Sequence, residues 1–324
     1  MRTKCFSMVH SNTCTSISYG YGTRLAYCMP NDITMKRKEF LKKTIAGGSL
    51  SILGLTALAK VSNAVSDTNS EKETLGYNHL PNKEYKTMNT VLHKADTRGD
   101  ANHGWLQSKH SFSFANYHNP ERMNFGVLRV LNDDVVAPGM GFGTHPHKNM
   151  EIISIPMEGD LEHKDSMDNT TVIKSGDIQV LSAGTGITHS EYNKNSDREV
   201  KFLQIWVIPN QKNVTPRYDQ ITLNVADRKN KFQQVLSPNP VDSGVWVHQD
   251  AWFNMTNLDQ GNELTYQLNK PEKNGVYVFV LKGNVTINNQ PLTNRDGFGV
   301  WNVNKLDIKA DSNTELLLME IPMN

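Results

Sequence analysis

Short apolar and β-branched stretches recur along the chain after residue 90. The clearest examples are residues 125–131 (FGVLRVL), 151–157 (EIISIPM) and 200–208 (VKFLQIWVI). Glycine and aspartate separate them, for instance at residues 158–160 and 175–177. Strand-length runs bounded by such turn residues predict an all-β sandwich or barrel.

A second β-rich region begins near residue 222 and repeats the order of elements of the first. Its clearest strands are predicted at residues 275–281 (GVYVFVL) and 315–321 (ELLLMEI), with glycine turns between them. The first region has the same succession of strand, glycine turn, strand and Gly/Asp turn. Repetition on this scale predicts two similar barrels, at 90–220 and 221–324, rather than a solenoid.

The first 64 residues have a different pattern. A basic segment that starts at Met35 (MKRKEFLKK) precedes a weakly apolar stretch, and small residues follow at Ala59 and Ala64. A basic head, a short apolar middle and a small-residue exit are typical of a bacterial export signal. The apolar stretch is short and contains glycine, which argues against a permanent membrane span.

The basic segment also resembles the twin-arginine export motif, with Lys38 in place of the second arginine. No cysteine lies at the cleavage region, so a lipoprotein anchor is not indicated. We therefore expect residues 1–64 to comprise an extension and an export signal that starts at Met35. We expect residues 65–89 to form a polar linker, and the mature protein to be periplasmic without a stable membrane anchor.

Charge and cysteine content narrow the classes of function. The whole chain has a formal net charge of +1, and residues 1–59 hold eight Lys/Arg and two Asp/Glu, so the remainder is near −5. A mildly acidic protein lacks the basic surface that nucleic-acid binding requires. All three cysteines, Cys5, Cys14 and Cys28, precede Met35. The mature chain therefore offers neither a disulfide framework nor a cysteine-based metal site.

Two pairs of side chains carry the candidate chemistry. In the segment GMGFGTHPH, His145 and His147 are two residues apart and therefore project from one face of a strand. In the segment GTGITHSE, His189 and Glu191 have the same spacing. A single histidine on a strand is more often a packed or surface residue. Two such pairs in glycine-framed β segments predict that three imidazoles and one carboxylate enclose a metal ion.

This ligand set would leave two positions of an octahedral ion open for substrate, oxygen or water, unlike a closed structural zinc site. Imidazole and carboxylate suit iron, copper, nickel and zinc. Glu151 lies four residues after His147 and would share the face of that pair in a continued strand. It is therefore a rival fourth ligand or a partner that supports a ligand. We expect His163 to be a turn residue or part of a pocket wall.

Both histidine segments resemble the sequence motifs of cupins. The first motif is matched by Gly139, His145, Pro146, His147, Glu151 and, one place later than in the simplest pattern, Gly159. The second motif is matched by Gly176, Gly184, His189 and Asn193, with Ser182 where proline is usual and two extra residues before the histidine. These departures are the form seen in pirins, and the resemblance to a bacterial pirin-type bicupin covers roughly residues 90–324.

This resemblance implies an all-β fold of two tandem cupin (jelly-roll type) β-barrels. It implies that iron(II) is the usual metal, with copper, nickel, manganese or zinc as alternatives, and that Glu151 is not a ligand. The implied ligands are His145, His147, His189 and Glu191. Only the first barrel is expected to hold metal because the second half lacks the histidine pairs, and His248 is then structural.

Bacterial pirins resemble enzymes that open the central ring of flavonols with oxygen. The leading hypothesis is therefore a quercetinase-like dioxygenase that takes a small aromatic substrate and oxygen. The metal would act as Lewis acid, and Glu191 would accept the substrate hydroxyl proton as general base. Candidates for the pocket wall, each equally compatible with a core position, are Phe112, Phe114, Phe142 and Met150.

Two other functions fit the same motifs. Some pirins resemble redox-responsive partners of transcription factors or of metabolic enzymes, which would make this chain a non-catalytic metal sensor. The export signal argues against nuclear or cytosolic partners of that kind. A metal hydrolase or isomerase is the third hypothesis, because cupins host many reactions. We expect the protein to be a monomer.

Overall fold

The computed structural model describes residues 87–323. The extension and export signal predicted at residues 1–64 lie outside the described residues, as does all but the end of the linker predicted at 65–89. Export to the periplasm therefore stays a prediction. Among the described residues, no helix has the length and apolar character needed to cross a bilayer.

β-Strands make up most of the described chain, as the alternating sequence pattern predicts. Two short 3₁₀ helices lie at Ala95–Thr97 and Val225–Arg228. The strands, numbered in chain order, are β1 (Asn89–His93), β2 (Gly99–Asn102), β3 (Leu106–His110), β4 (Leu128–Val136), β5 (Gly141–His147), β6 (Glu151–Glu158), β7 (Asp160–Asp165), β8 (Thr170–Lys174), β9 (Asp177–Ser182), β10 (Ile187–Asn193), β11 (Val200–Val207), β12 (Arg217–Thr222), β13 (Gln233–Ser237), β14 (Val245–Trp246), β15 (Trp252–Leu258), β16 (Glu263–Gln267), β17 (Asn274–Lys282), β18 (Val285–Ile287), β19 (Gln290–Leu292), β20 (Gly297–Trp301), β21 (Lys305–Ala310) and β22 (Thr314–Pro322).

Each half of the described chain forms a barrel from one large and one small sheet. In the first barrel, a seven-stranded sheet has the order β12-β9-β6-β11-β4-β3-β2, and a four-stranded sheet has the order β5-β10-β7-β8. In the second barrel, the corresponding orders are β1-β20-β17-β22-β15-β13-β14 and β16-β21-β18-β19. This repeated architecture confirms the prediction of two tandem β-barrels.

Two strands depart from the linear division of the chain at residues 90–220 and 221–324. Strand β1 belongs to the second barrel, where it pairs antiparallel with β20 and brings Val91 opposite Gly299. Strand β12 stays in the first barrel up to Thr222, because it pairs with β9 along its whole length. The departure follows from strand pairing between distant segments, which sequence order does not reveal.

The largest apolar core combines the two seven-stranded sheets. Since successive strand residues face opposite sides, Ile153 and Ile155 of β6 join this core, whereas Ile152 and Ser154 face the interior of the first barrel. Each buried side chain of this size stabilises the fold by about 1.5–3 kcal/mol. Members from both barrels include Leu131, Ile153, Leu203, Ile205, Phe253, Phe279, Leu317 and Met319.

The interior of the first barrel is apolar only at its two ends. Along β11, every second residue faces inward, and Phe202 belongs to one apolar cluster while Trp206 packs against another. Gln204 lies between them and is buried. The second barrel, in contrast, has one continuous apolar cluster. The first barrel thus has a buried polar layer in which a metal or a substrate could bind.

We expect Phe253→Ala to destabilise the whole described unit, because Phe253 is fully buried in the core that both barrels share. The lost contacts and the resulting cavity should lower the free energy of unfolding by about 3–5 kcal/mol, measured by urea titration. Val241→Ala is the control, since Val241 is 85% exposed and its truncation should cost less than about 0.5 kcal/mol. Equal stabilities of the two variants would contradict the shared core.

Candidate metal centre

Strands β5 and β10 bring the two predicted pairs together. The antiparallel register places His145 directly opposite His189, and alternation turns His147 to the same side as His145. The ring centroids lie 4.5 Å apart for His145 and His189, 4.8 Å for His145 and His147, and 4.9 Å for His147 and His189. One ring nitrogen of each histidine lies within 4.8 Å of the others. The three imidazoles can therefore reach one ion.

Two local features allow this approach. A Cβ atom at Gly141 would collide with the backbone oxygen of Glu191 and with the Tyr192 Cα, so the close pairing of β5 and β10 requires glycine there. A register irregularity follows His189, so that Glu191 pairs with Phe142. Such bulges redirect side chains beside functional sites. The glycine at position 141 thus has a steric cause.

Glu191 extends the cluster inward. One of its carboxylate oxygens lies within 4.8 Å of nitrogens of His163 and His189, and the side chain is buried. Ser154 donates to Oε1 at 3.1 Å, and the Gln204 amide donates to Oε2 at 2.9 Å. Sequence reasoning missed Ser154 and Gln204, although period-two alternation along β6 and β11 places both inside the barrel.

The hydrogen bonds leave suitable nitrogen atoms free for a metal. His145 Nδ1 donates to the Gly143 carbonyl at 2.8 Å, which leaves Nε2 with its lone pair. His189 Nε2 is buried and has no hydrogen-bond partner among residues 87–323. A buried nitrogen without a partner is costly unless it binds something. The three imidazoles, with the Glu191 carboxylate beside His189, therefore fit a divalent transition metal.

The protonation states agree with this fit. Burial lowers the pKa of His147 to about 3, and the neighbouring His189 and His145 act in the same direction. Burial likewise lowers the pKa of His189 to about 2, with His145 and His163 adding to the effect. Both rings are thus neutral at pH 7. A neutral imidazole is the form that binds metal, so no proton has to leave these rings first.

His163 lies on β7 and is fully buried, not in a turn as one expectation held. Its Nε2 lies 3.0 Å from Asp165 Oδ2, and its Nδ1 lies 3.4 Å from His189 Nδ1. Both ring nitrogens are therefore engaged. His163 borders the cluster, but its nitrogens are less available for a metal than Nε2 of His189.

Glu151 does not share the face of the histidine pair. Strand β5 ends at His147, Asn149 has a positive φ of 50°, and β6 starts anew at Glu151. The carboxylate accepts a hydrogen bond from Ser182 Oγ at 2.6 Å and lies near Arg217, on the side of β6 that faces the second barrel. The assumption of a continued strand was wrong, and Glu151 belongs to neither group of candidate ligands.

The aromatic surroundings differ in part from the predicted pocket wall. Trp206, which sequence reasoning missed, packs edge-on against His147 at 4.9 Å, and Phe114 packs edge-on against Trp206 at 5.4 Å. Phe114 is thus near the centre, as expected. Phe112 contacts Tyr277 in the core shared by the two barrels, which is the alternative that the sequence left open for it.

The remaining candidates have structural neighbours. Phe142 packs edge-on against Trp105 at 5.4 Å, and Met150 packs against the apolar cluster that contains Ile152. His248 packs edge-on against Trp246 at 4.8 Å, away from the histidine cluster. Within residues 87–323, both groups of candidate ligands lie in the first barrel.

Comparison with known proteins assigns the family. A family model described as Pirin matches residues 81–207, and one described as the quercetinase C-terminal cupin domain matches residues 234–321. The quercetin 2,3-dioxygenase of Escherichia coli K12 is 46% identical over 231 residues, which cover 71% of this chain and 98% of that protein. A pirin-like protein of Caulobacter vibrioides is 38% identical over 226 residues, covering 69% of this chain and 96% of that protein.

Solved structures agree with this result. The bacterial pirin YhhW from Escherichia coli, in complex with nickel(II), superimposes with a TM-score of 0.69 at 44% identity over 72% of this chain and all of that one. A quercetin 2,3-dioxygenase structure from Acinetobacter baumannii, at 20% identity, shares the fold with a TM-score of 0.59 and covers 72% and 86% of the two chains. The two barrels are thus of the cupin type. The chain belongs to the pirin family.

We expect His189→Ala to abolish stoichiometric metal binding, because His189 belongs to both groups of candidate ligands. Purified protein would be loaded with nickel(II), desalted and assayed for metal by elemental analysis. His248→Ala is the matched control and should retain the metal of the unaltered protein. Full retention of nickel by the His189 variant would rule out this ligand set.

Glu151 predicts a distinct pH dependence of stability. Burial raises the pKa of its carboxyl to about 7, although Ser182 and Arg217 act to lower it. The folded chain therefore holds this proton above the ordinary pKa of 4.5, and stability falls as the pH rises from 4.5 to 7. Glu151→Gln stays neutral, so its free energy of unfolding should gain about 1–3 kcal/mol relative to the unaltered protein between pH 5 and pH 8.

Urea titrations at both pH values measure this difference. Glu199→Gln, which changes an exposed carboxylate, is the control and should show no comparable pH-dependent gain. A Glu151 variant whose stability follows the unaltered protein at every pH would show that this carboxyl titrates normally.

Proposed function

We propose that the protein is a metal-dependent dioxygenase that opens the central ring of a flavonol such as quercetin. The proposal depends on one observation, which is the clustering of three imidazoles beside an aromatic wall, with the buried Glu191 carboxylate next to His189. The 46% identity to a quercetin 2,3-dioxygenase supports the reaction class, with a small molecule and oxygen as substrates. The nickel(II) in a pirin relative supports a metal cofactor.

We propose iron(II) as the physiological metal, with nickel, copper, manganese and zinc as alternatives. The residues that would hold it are His145, His147, His189 and Glu191. When bound, a divalent metal supplies a Lewis acid that lowers the pKa of the flavonol hydroxyl. Imidazole and carboxylate ligands accept each of these metals, so the donor set supports a metal without selecting it.

The residues beside the centre suit a hydroxylated aromatic ring. Trp206 and Phe114 offer aromatic surface next to His147. Three buried polar atoms on this side of the barrel have no hydrogen-bond partner among the described residues: Trp206 Nε1, Asn132 Oδ1 and His110 Nδ1. Phenolic hydroxyls both donate and accept, so they can satisfy such atoms while the ring packs on the aromatic wall.

Glu191 is the proposed general base. Its buried carboxylate lies beside His189, and Ser154 and Gln204 hold it through neutral donors that leave it able to accept a proton. In the proposed step, the substrate hydroxyl transfers its proton to a Glu191 oxygen. Such a positioned base accelerates reactions by about 10²–10⁴-fold.

We expect protein loaded with iron(II) under anaerobic conditions to consume oxygen and release carbon monoxide when quercetin and air are added. Oxygen uptake is followed with an electrode, and carbon monoxide by its binding to reduced haemoglobin. Parallel loading with nickel(II), copper(II), manganese(II) and zinc(II) ranks the metals. Absence of oxygen uptake and of carbon monoxide with all five metals would refute the proposed activity.

Glu191→Gln tests the base separately, because the amide keeps an oxygen at the site but cannot accept a proton at neutral pH. We expect kcat to fall by at least about a hundredfold in protein with a verified metal content. Glu199→Gln is the surface control. A Glu191 variant with normal metal content and normal kcat would remove the general base from the mechanism.

A further inference from the structure

We propose that Asp165 and His163 are positioning residues that hold the His189 imidazole in the tautomer protonated on Nδ1. The three side chains form one buried hydrogen-bonded chain. Asp165 Oδ2 lies 3.0 Å from His163 Nε2, and His163 Nδ1 lies 3.4 Å from His189 Nδ1. The inference rests on the ligand set of the proposed function, but not on its substrate.

The Asp165 carboxylate determines which atoms donate and which accept in this series of hydrogen bonds. Oδ1 of Asp165 accepts the backbone N–H groups of Met167 at 2.8 Å and Asn169 at 3.1 Å, and Oδ2 accepts the Asn169 amide at 2.8 Å. Burial acts to raise the pKa of Asp165, but the hydrogen bonds from Asn169, His163 and Met167 outweigh it and lower the pKa. An ionised carboxylate only accepts, so the proton between the two residues belongs to His163 Nε2.

The tautomer of His189 is then determined. Because the Asp165 carboxylate engages His163 Nε2, His163 Nδ1 is the nitrogen left to accept from His189 Nδ1, which lies 3.4 Å away. His189 Nε2 therefore keeps its lone pair, and this is the buried atom without a partner among residues 87–323. In the opposite arrangement, His189 would carry its proton on Nε2 and could not act as a ligand through that atom.

The strand pairing fixes these residues beside each other. On β10 and β7, His189 pairs with Asp165 and Glu191 pairs with His163. Tyr218 packs on the outer side of the chain, with its ring centroid 4.8 Å from that of His163. Its hydroxyl group is engaged elsewhere, by Thr171 at 2.6 Å and Gln220 at 2.7 Å. Tyr218 thus contacts His163 without taking part in the hydrogen-bonded chain.

The same principle operates at His145 with a different partner, since its Nδ1 donates to the Gly143 carbonyl. Partners of this kind orient metal-binding histidines, and their loss typically costs 10–100-fold in metal affinity. At His189, the pair formed by His163 and Asp165 takes the place of that carbonyl as the acceptor.

Three variants with nickel(II) as the probe test the inference. His163→Leu removes the acceptor and should weaken nickel binding by about 10–100-fold, measured by competition with a chelator. In His163→Asn, Oδ1 can take the place of Nδ1 as acceptor, so its affinity should lie closer to that of the unaltered protein. Tyr218→Phe is the control for packing around His163, and its affinity should stay within about twofold.

The tautomer itself is read in metal-free protein by long-range ¹H–¹⁵N correlation spectra of the histidine rings. We expect His189 to be protonated on Nδ1 in the unaltered protein and in Tyr218→Phe, and to lose this preference in His163→Leu. Thermal unfolding verifies that each variant is folded.

Two results would overturn the inference: a His189 ring protonated on Nε2 in the unaltered metal-free protein, or unchanged nickel affinity in folded His163→Leu. The first of these needs no variant, so a His163→Leu protein that fails to fold leaves the test intact. Neither readout involves quercetin. A protein that keeps the Nδ1 tautomer and binds nickel, but does not turn over quercetin, would refute the dioxygenase and leave this inference standing.

Discussion

The central position of β10 in the four-stranded sheet is the constraint on which the centre depends. This strand pairs with β5 on one side and with β7 on the other. It therefore places His189 opposite His145 and Glu191 opposite His163. A slip of one residue in either pairing would turn one set of side chains to the outer face of the barrel. The chemistry of the site is thus specified by strand register before any side-chain contact.

The buried carboxylates of the two barrels differ in how many hydrogen bonds they accept. In the second barrel, Glu320 accepts five hydrogen bonds, from Tyr266, Asn274, the backbone of Lys270, and both the backbone and the amide of Asn269. Such a carboxylate is fully satisfied and contributes to a packed interior. Glu191 receives hydrogen bonds only from Ser154 and Gln204 among the described residues, and it faces imidazoles. In the first barrel, buried polar atoms without hydrogen-bond partners within the described chain lie where a ligand could bond to them.

Local patterns in the sequence were sufficient for the fold class and for the two strand pairs that carry the candidate ligands. A spacing of two residues within a strand directly determines a shared face, and both pairs lie within single strands. The expectation for Glu151 was wrong because Asn149 interrupts the strand and resets the alternation. The sequence left Phe112 between the pocket wall and the core, because it does not show which face of a segment the second barrel covers. The roles of Trp206, Gln204 and Asp165 depend on pairings between strands distant in the chain, which spacing alone cannot supply.

The pairing of β1 with the distant strand β20 has a consequence for biosynthesis. Strand β1 is made before any other described strand, yet it completes the sheet of the second barrel, and its His93 contacts Tyr277 across 184 sequence positions. The ribosome must therefore release nearly the entire chain before this edge of the second barrel can close. Contacts of such high sequence separation slow folding, and the unpaired edge of β20 is exposed to association with other chains during that interval.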